Sequence, residues 1–263
     1  GFRMTDCMFG ALAMMLPDKV KAAGDGGNTG ISIGGYDADR KPFVYVDFTC
    51  GAWGARPWVD GLDGNSHMLA NMASHSVEVT EAEHPIQLLA YEFVPDKAGA
   101  GKYRGGVPFR RDYRFLEAEG VLQVRSDRRD HRPFGLYGGS PGRPSENYFN
   151  PETENRVLPG KFTMNLRRGD VLRHVLAGAG GWGDPLERDP AAVLRDVRNE
   201  LLSPAKALFD YGVVIDTARW MVDVAATESH RAQIRAARAW REVPKVQRHD
   251  PLPPSRPERT RQA

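Results

Sequence analysis

The glycine-rich stretch from Val171 to Asp189 most restricts how this chain can fold. It reads VLRHVLAGAGGWGDPLERD, and its first six residues alternate as in a strand that is buried on at least one face. Four glycines follow within six positions, at Gly178, Gly180, Gly181 and Gly183. Glycine tolerates positive φ and lets another backbone come close, which a Cβ would prevent. We therefore expect a tight turn packed between a sheet and the tail of the chain.

The same glycines have the spacing Gly178-x-Gly180-x-x-Gly183, which is the form of a dinucleotide-binding fingerprint. In that fold a helix begins at the third glycine, and its N-terminus provides the phosphate site. Here Asp184-Pro185 follows at once, and the next helix start signal is Asp189-Pro190. The context therefore disfavours nucleotide binding by this loop.

The segment from Gly99 to Lys102 resembles the end of a phosphate-binding P-loop. A P-loop needs a first glycine where Asp96 stands and a Ser or Thr, which holds magnesium, where Tyr103 stands. The segment is therefore not expected to bind a nucleotide.

Composition excludes several classes of partner. The chain has 263 residues, and 36 Lys and Arg side chains against 34 Asp and Glu give a net charge of +2. So small a charge gives no reason to expect nucleic acid or an acidic membrane, and no apolar run reaches the roughly 18 residues that span a bilayer. Two cysteines, Cys7 and Cys50, are too few for a disulfide framework. A cytoplasmic location is the expectation.

The pattern between residues 31 and 176 is one of short strands separated by Gly and Pro, which favours antiparallel sheets over βαβ units. Val121 to Val124 is expected to pair with the strand before it around Glu119-Gly120. The predicted strands include Phe43 to Phe48, Val77 to Val79, Ile86 to Val94, Phe109 to Leu116 and Val121 to Val124.

Helices are predicted at both ends of the chain. Thr5 suits the N-cap of a first helix whose apolar stripe, expected in the core, is Met8, Phe9, Leu12, Met15 and Leu16. Asp189-Pro190 and Ser203-Pro204 begin two more helices, the second ending at Gly212, and a long last helix runs from Asp216 to about Glu242.

The predicted fold class is α+β: mainly antiparallel β-sheets with an N-terminal helix and a helical C-terminal tail. We expect a β-rich body over residues 1–188 and a helical tail over 189–247. Residues 248–263 are rich in proline and charge and are expected to be disordered.

Polar residues are concentrated in the loops that follow Phe43 to Phe48. Loops placed by rigid strands commonly carry the chemistry of a protein. Arg56 can hold a carboxylate or a phosphorylated oxygen through paired hydrogen bonds, and His67 can move a proton near neutral pH. The predicted catalytic residues are Asp47, Arg56, Asp60, Asp63 and His67.

Other interpretations of these polar groups remain open. A metal site would combine Asp63 and His67 with His75 or His84, but it lacks a compact His-x-x-x-His pair and a cysteine ligand. In a purely structural interpretation, the aspartates cap turns and His67 satisfies a buried polar group.

A basic run includes Arg128, Arg129 and Arg132, with Asp127 and Asp130 interleaved. It can clamp an anion, although the interleaved carboxylates favour a solvated surface that pairs with itself.

Four runs of this sequence resemble the hydantoinase B/oxoprolinase family. They are RMTDCMFGALAMMLP from Arg3 to Pro17, GAWGARPWVDGLDGNSHM from Gly51 to Met68, VPDKAGAGKYRGGVPFRRDYRFL from Val94 to Leu116, and Gly178 to Val214. The last run combines the glycine turn with Arg-Asp-Pro, Asp-Val and Tyr-Gly-Val. The resemblance extends to about residue 216.

The resemblance implies a component of a hetero-oligomeric enzyme that works with an ATP-binding, hydantoinase A-type partner subunit. ATP and magnesium would lie on that partner, which phosphorylates a cyclic amide or a ketone so that ring opening or carboxylation of the small-molecule substrate can follow. Phosphorylation turns a poor leaving group into a good one. A cyclic amidohydrolase is the main expectation. An ATP-dependent ketone carboxylase and a non-catalytic scaffold subunit are the alternatives.

The resemblance covers only the later half of the family's chain. The family's metal-binding His and Asp motifs belong to the earlier half, so a divalent metal is expected on another chain or on a preceding segment. Gly1-Phe2-Arg3 leads into a helix without an initiator Met, which fits a chain that begins inside a longer one. After His67-Met68 the sequence departs from the family's Asn-Thr-Pro-rich run, which leaves hydantoin, 5-oxoproline, a lactam and a ketone open as substrates.

Overall fold

A computed structural model describes residues 1–16, 18–238 and 246–247. The helices are α1 Phe2–Leu12, α2 Val77–Glu83, α3 Pro190–Arg198, α4 Pro204–Tyr211 and α5 Val224–Arg238, with a 3-10 turn at Pro185–Glu187. The strands are β1 Thr29–Tyr36, β2 Pro42–Thr49, β3 Ile86–Phe93, β4 Phe109–Phe115, β5 Glu119–Arg125, β6 Gly135–Leu136, β7 Glu146–Phe149, β8 Arg156–Leu158, β9 Lys161–Arg167, β10 Val171–Val175, β11 Ile215–Asp216, β12 Met221–Val222 and β13 Val246–Gln247.

The body of the molecule consists of two antiparallel sheets that share one apolar core. One sheet has the order β2-β1-β5-β9, and the other has the order β3-β4-β10-β7-β8. Alternate residues of each strand point inward, as the two-residue period of a strand requires. Ile31 and Leu122 from the first sheet pack with Tyr113, Phe115 and Leu172 from the second. The predicted α+β class with antiparallel sheets is confirmed.

The predicted pairing of β4 with β5 is wrong. β4 pairs with β3 and β10 in one sheet, whereas β5 pairs with β1 and β9 in the other. The connection around Glu119-Gly120 therefore crosses between sheets. A Cβ at Gly120 would lie 2.5 Å from the ring of Phe115, so the glycine lets the crossing pass tightly under that ring.

The predicted strand at Val77 to Val79 is also wrong, because this segment begins α2. The Ser76 hydroxyl accepts a hydrogen bond from the Val79 amide and thereby caps the helix. Thr80 adds a hydrogen bond from its hydroxyl to the Ser76 carbonyl, 3.0 Å away. The cap at Ser76 therefore stabilises a helix here, although Val77 and Val79 are β-branched and alternate as in a strand.

The first helix begins earlier than predicted and exposes more of its apolar stripe. Gly1 is the N-cap of α1, and the Thr5 hydroxyl instead donates to the Gly1 carbonyl. Met8 is 63% exposed and Met15 is 76% exposed, so their predicted place in the core is wrong. Leu16 is 45% exposed as well. Only Phe9 and Leu12 of the stripe pack inward, against a small buried cluster that includes Ala13 and Leu136.

The glycine turn is closely packed, but its glycines meet loop segments near residues 97–102 and 134 and not the predicted sheet and tail. A Cβ at Gly178 would lie 1.8 Å from the Lys97 carbonyl oxygen, and one at Gly180 would lie 2.0 Å from the Phe134 carbonyl oxygen. The Gly180 carbonyl accepts a hydrogen bond from the Ala55 amide. The turn therefore joins three distant segments, and its surface is covered by backbone.

The segment that resembles a P-loop is covered in the same way. A Cβ at Gly99 would lie 2.2 Å from the Ser140 carbonyl oxygen, and one at Gly101 would lie 2.6 Å from the Trp182 amide. This packing leaves no open cradle for a phosphate group.

The tail contains α3, α4, a β11–β12 hairpin and α5. The Asp189 and Ser203 side chains cap α3 and α4, and Gly212 ends α4 with φ 64°, as predicted. The predicted helix from Asp216 is wrong at its start. Asp216 accepts hydrogen bonds from the amides of a turn at Ala218, and α5 begins at Val224.

Several sequence predictions lie outside the described residues or stay predictions. The expected helix as far as Glu242 and the expected disorder of residues 248–263 fall on residues that the structure does not describe. The division between body and tail at residue 188 stays a prediction. Among the described helices, none combines the length and the apolar character that crossing a bilayer requires.

Candidate functional site

Asp47 lies between the two sheets and forms a buried ion pair there. Its side chain, on β2, is 1% exposed and accepts hydrogen bonds from Arg111 and from the Tyr113 hydroxyl on β4. The Arg111 guanidinium also lies 4.1 Å from the centre of the Tyr91 ring. Burial, followed by the Asp47 charge, raises the pKa of Tyr113 well above its usual value. Asp47 therefore links one sheet to the other.

Asp60 and Asp63 belong to an arginine network, made up of Asp60, Asp63, Arg104, Arg188 and Asp196. Arg188 binds Asp60 through two hydrogen bonds of 2.6 and 2.7 Å, and it donates to Asp196 at 2.7 Å. Arg104 binds Asp63 through two hydrogen bonds of 2.7 and 2.9 Å. The network attaches the loop after β2 to α3 of the tail.

The charge state of Asp60 follows from this pairing. Burial acts to raise its pKa, but the hydrogen bonds and the charge of Arg188 outweigh burial and hold the pKa of Asp60 below its usual value. Arg188 has its own pKa raised by Asp60, against the effect of burial. Both groups are therefore charged at neutral pH.

Arg56 lies beside the arginine network without an ion pair in the described part of the chain. Its Nη2 donates to the Asp60 carbonyl at 3.0 Å. Its Nε is buried and has no hydrogen-bond partner among the described residues.

His67 lies apart from the other four predicted residues. Its side chain is 3% exposed, and its ring stacks against Phe2 with centroids 4.6 Å apart. Nδ1 accepts a hydrogen bond of 3.2 Å from the Leu69 amide, which places the proton of the neutral ring on Nε2. Nε2 is buried and has no partner among the described residues. Burial lowers the pKa of His67, so the neutral ring is favoured at pH 7.

His67 belongs to a set of ionisable groups here called the Asp6 cluster: Asp6, Lys21, Asp25, His67 and Arg128. Asp6, Lys21 and Arg128 act electrostatically on both His67 and Asp25. Asp6, on α1, is 3% exposed, accepts a hydrogen bond from Arg128 and lies 3.7 Å from the Lys21 ammonium. Burial lowers the pKa of Lys21, although Asp6 and Asp25 act to raise it. The buried Asp6 carboxylate thus lies between two cations, Lys21 and Arg128.

Asp25 is the most perturbed acid of the Asp6 cluster. It accepts a hydrogen bond of 2.7 Å from the Gly51 amide. Burial nevertheless raises the pKa of Asp25 to about 7, because the hydrogen bond and the nearby cations only partly offset the cost of a buried charge. A carboxyl group with this pKa can hold or release a proton near neutral pH.

An open pocket of about 760 Å³ lies against the Asp6 cluster. It is enclosed by α1, by residues 126–134 and by residues 159–161, and Asp6 and Arg128 form part of its wall. The cluster therefore has one side toward a cavity of a size that holds small molecules.

The structure thus separates the five predicted site residues into three places. Arg56, Asp60 and Asp63 lie around the arginine network, Asp47 lies between the sheets, and His67 belongs to the Asp6 cluster. Sequence reasoning missed Asp6, Lys21 and Asp25. The one sequence signal was an acid, Asp6, directly before the apolar residues of α1.

Comparison with known proteins identifies the family. The model of the Hydantoinase B/oxoprolinase family matches residues 1–185. The chain belongs to this family. A protein of Pseudomonas sp. strain NS671 that is assigned as the B component of a D-/L-hydantoinase is 31% identical over 218 residues, which are 82% of this chain and 36% of that relative. The resemblance seen in the sequence is confirmed.

Solved structures share the fold of this hydantoinase B/oxoprolinase member. The ATP-dependent caprolactamase from Pseudomonas jessenii matches with a TM-score of 0.68 and 26% identity, over 84% of this chain and 40% of that chain. Nucleotide-free acetone carboxylase matches with a TM-score of 0.65 and 21% identity, over 90% of this chain and 36% of that chain. This chain spans well under half the length of these relatives.

The described residues of this family member offer no metal site of the usual kind. No group of three or more His, Cys, Asp or Glu side chains among them is arranged to hold a metal ion. The set considered from sequence does not come together, because Asp63 is held by Arg104 while His75 and His84 lie 6.3 and 5.1 Å from the Tyr45 ring. The donor set of this part of the chain therefore does not fit a divalent metal.

Proposed function

We propose that this chain is part of a hetero-oligomeric, ATP-dependent enzyme that hydrolyses a cyclic amide. The observation that carries the proposal is the family match over residues 1–185. The relatives support an amide substrate, since one is assigned as a hydantoinase component and another is a caprolactamase. In this proposal the chain lines the substrate site, and ATP is bound by a partner of the hydantoinase A type.

The division of labour follows from the chemistry. An amide oxygen is a poor leaving group, and its phosphorylation by ATP makes ring opening accessible. We assign ATP and magnesium to the partner, because both glycine loops of this chain are packed against backbone. We assign any divalent metal to the chain or segment that carries the earlier half of the family.

Within this chain we propose the Asp6 cluster as the group that handles protons. His67 is neutral at pH 7 and its Nε2 has no partner among the described residues, and Asp25 has a pKa of about 7, so each is poised for proton transfer near neutral pH. Asp6 and Arg128 connect the cluster to the open pocket. Asp47, Asp60 and Asp63 act by holding the fold, and Arg56 remains a candidate to contact an anionic oxygen.

The first test is to purify the complex from its source and to identify every chain and metal by native mass spectrometry. The expected complex contains an ATP-binding partner and a polypeptide with the earlier half of the family. It should hydrolyse ATP in step with the opening of hydantoin, 5-oxoproline or caprolactam. A stable and active particle made of this chain alone would contradict the proposal.

Substitutions in the same complex separate the alternatives. His67→Gln should lower kcat by about a hundredfold to ten-thousandfold, the range in which general acid–base groups act, while the complex stays assembled. ATP consumption that depends on bicarbonate and a ketone would instead indicate a carboxylase. A series of variants in the Asp6 cluster that alters assembly but never turnover would indicate a scaffold role.

A further inference from the structure

The open pocket beside the Asp6 cluster contains more positive charge than its own carboxylates neutralise. Its charged walls include five cations and three carboxylates among the described residues: Arg3, Arg128, Arg129, Arg132 and Lys161, against Asp6, Asp127 and Asp130. Two of the cations are paired across the pocket, Arg3 with Asp127 and Arg128 with Asp6. These pairs join the basic run to α1, so the predicted pairing of the run with itself is not what the structure shows.

The remaining cations, here called the pocket cations, are Arg129, Arg132 and Lys161. None has a carboxylate within 4 Å among the residues that the structure describes. The one remaining acid of the described wall, Asp130, is exposed to solvent. The pocket cations thus exceed the remaining acid by two positive charges.

Arg129 provides a buried hydrogen-bond donor at this pocket. It is half-buried, and its Nη1 is shielded from solvent without a hydrogen-bond partner in the described part of the chain. A buried donor of a charged group that lacks an acceptor is costly. An incoming oxyanion would supply that acceptor.

Arg132 lies in a fixed position in the same pocket. Its Nε donates to the Gly142 carbonyl at 2.8 Å, which orients the guanidinium without neutralising it. Burial, followed by the charge of Arg143, lowers the pKa of Arg132. Lys161, at the start of β9, adds an exposed ammonium at the rim.

We propose that this pocket binds a small organic oxyanion with at least two negative charges, held by Arg129, Arg132 and Lys161. Guanidinium groups match the geometry of carboxylate and phosphate oxygens through paired hydrogen bonds. The volume of about 760 Å³ suits a small molecule, since ligand pockets typically measure about 300 to 1,000 Å³. This binding goes beyond the proposed hydrolysis and does not require it.

The test is isothermal titration calorimetry on the purified assembly, with any nucleotide site first saturated with an ATP analogue. The probes are pyrophosphate, glutarate and acetate. A dianion should bind at least tenfold more tightly than acetate. Tighter binding of pyrophosphate would indicate a phosphorylated ligand, and tighter binding of glutarate would indicate a dicarboxylate.

Variants assign the binding to the pocket. Arg129→Gln and Lys161→Gln should each weaken binding of the preferred dianion, by at least tenfold for Arg129 and about threefold for Lys161. Arg219→Gln is the matched control, because Arg219 is an exposed arginine outside the pocket, and it should bind as the unmodified protein does. Lys161 is exposed, so its variant remains informative if Arg129→Gln fails to fold.

Equal binding by the unmodified protein and the two pocket variants would overturn the proposal, and so would an equal loss in Arg219→Gln. Cyclic-amide hydrolysis is measured on the same preparations. Dianion binding that depends on the pocket in an assembly without hydrolysis would contradict the proposed function and leave the pocket assignment standing. Hydrolysis by an assembly in which dianion binding does not depend on the pocket would contradict the pocket assignment and leave the proposed function standing.

Discussion

Arg188 holds Asp60 in a two-point ion pair although 128 residues separate them in the chain. The arginine side chain is 2% exposed and the aspartate side chain is 26% exposed. Arg188 immediately precedes the cap of α3, so this contact attaches a loop of the β-rich part to the first helix of the tail. The position of each side chain therefore depends on the ion pair with the other segment.

Replacing Asp60 by Asn should therefore lower the free energy of unfolding by about 3 kcal/mol, because a buried guanidinium loses part of its compensation. Urea denaturation monitored by circular dichroism measures the change. Glu154→Gln is the control, since Glu154 forms an exposed pair with Arg156, and it should change stability by less than about 0.5 kcal/mol. Equal effects of the two substitutions would contradict the structural role of Asp60.

Asp47→Asn should also destabilise the fold by about 3 kcal/mol, because it breaks the buried pair with Arg111 that connects the sheets. Turnover per correctly assembled complex should stay within about twofold of the unmodified enzyme, as Asp47 has no access to the pocket wall. Stability is followed by denaturation and kcat by substrate turnover. A large fall in kcat with unchanged stability would place Asp47 in the reaction after all.

The sequence predicted the parts of the fold that depend on local chemistry. The caps at Asp189 and Ser203 and the end of α4 at Gly212 all follow from short-range rules. The close packing of the glycine turn was also expected, but the loop segments that it meets were not. The pairing of β4 was missed because strand partners are chosen by burial across the whole molecule. Phe115 and Leu122 fill the same core from opposite sheets, and nothing in their spacing distinguishes that from a hairpin.

The candidate site was predictable only where its residues lie close together in the sequence. Residues close in sequence, such as Asp60 and Asp63, were grouped correctly in space. The Asp6 cluster was missed because it joins α1 to Arg128, which lies 122 residues further along the chain. Burial of Asp25 and Lys21 cannot be recognised without knowing which segments cover them.

Asp25→Asn should stabilise the fold at alkaline pH. Burial raises the pKa of Asp25 from 3.8 to about 7, so the folded state binds a proton that the unfolded state releases between these values. The stabilising effect of the neutral acid is present below pH 4 and is lost as pH rises toward 7. The variant cannot ionise, so relative to the unmodified protein it should gain about 4 kcal/mol between pH 4 and pH 8, at about 1.4 kcal/mol for each unit of pKa shift.

Urea denaturation at several pH values measures this difference. Asp216→Asn is the control, because the Asp216 side chain, at the end of β11, is 41% exposed, and its replacement should give no comparable gain in stability. If Asp25 also handles a proton in the reaction, Asp25→Asn should lose turnover while it gains stability. Parallel pH profiles of the variant and the unmodified protein would contradict the raised pKa.

Gly178→Ala should prevent stable folding, because its Cβ would lie 1.8 Å from the Lys97 carbonyl oxygen and neither backbone can move without breaking the packed turn. We expect a loss of at least about 4 kcal/mol, the size seen when a mutation creates a steric conflict in packed structure. Gly30→Ala is the control, because its Cβ would meet only the Phe48 ring at 3.8 Å, and it should change stability by at most about 1 kcal/mol. Soluble yield and thermal melting of the two variants measure the contrast. A folded Gly178→Ala protein with unchanged melting would mean that the turn is not held against the segment at Lys97.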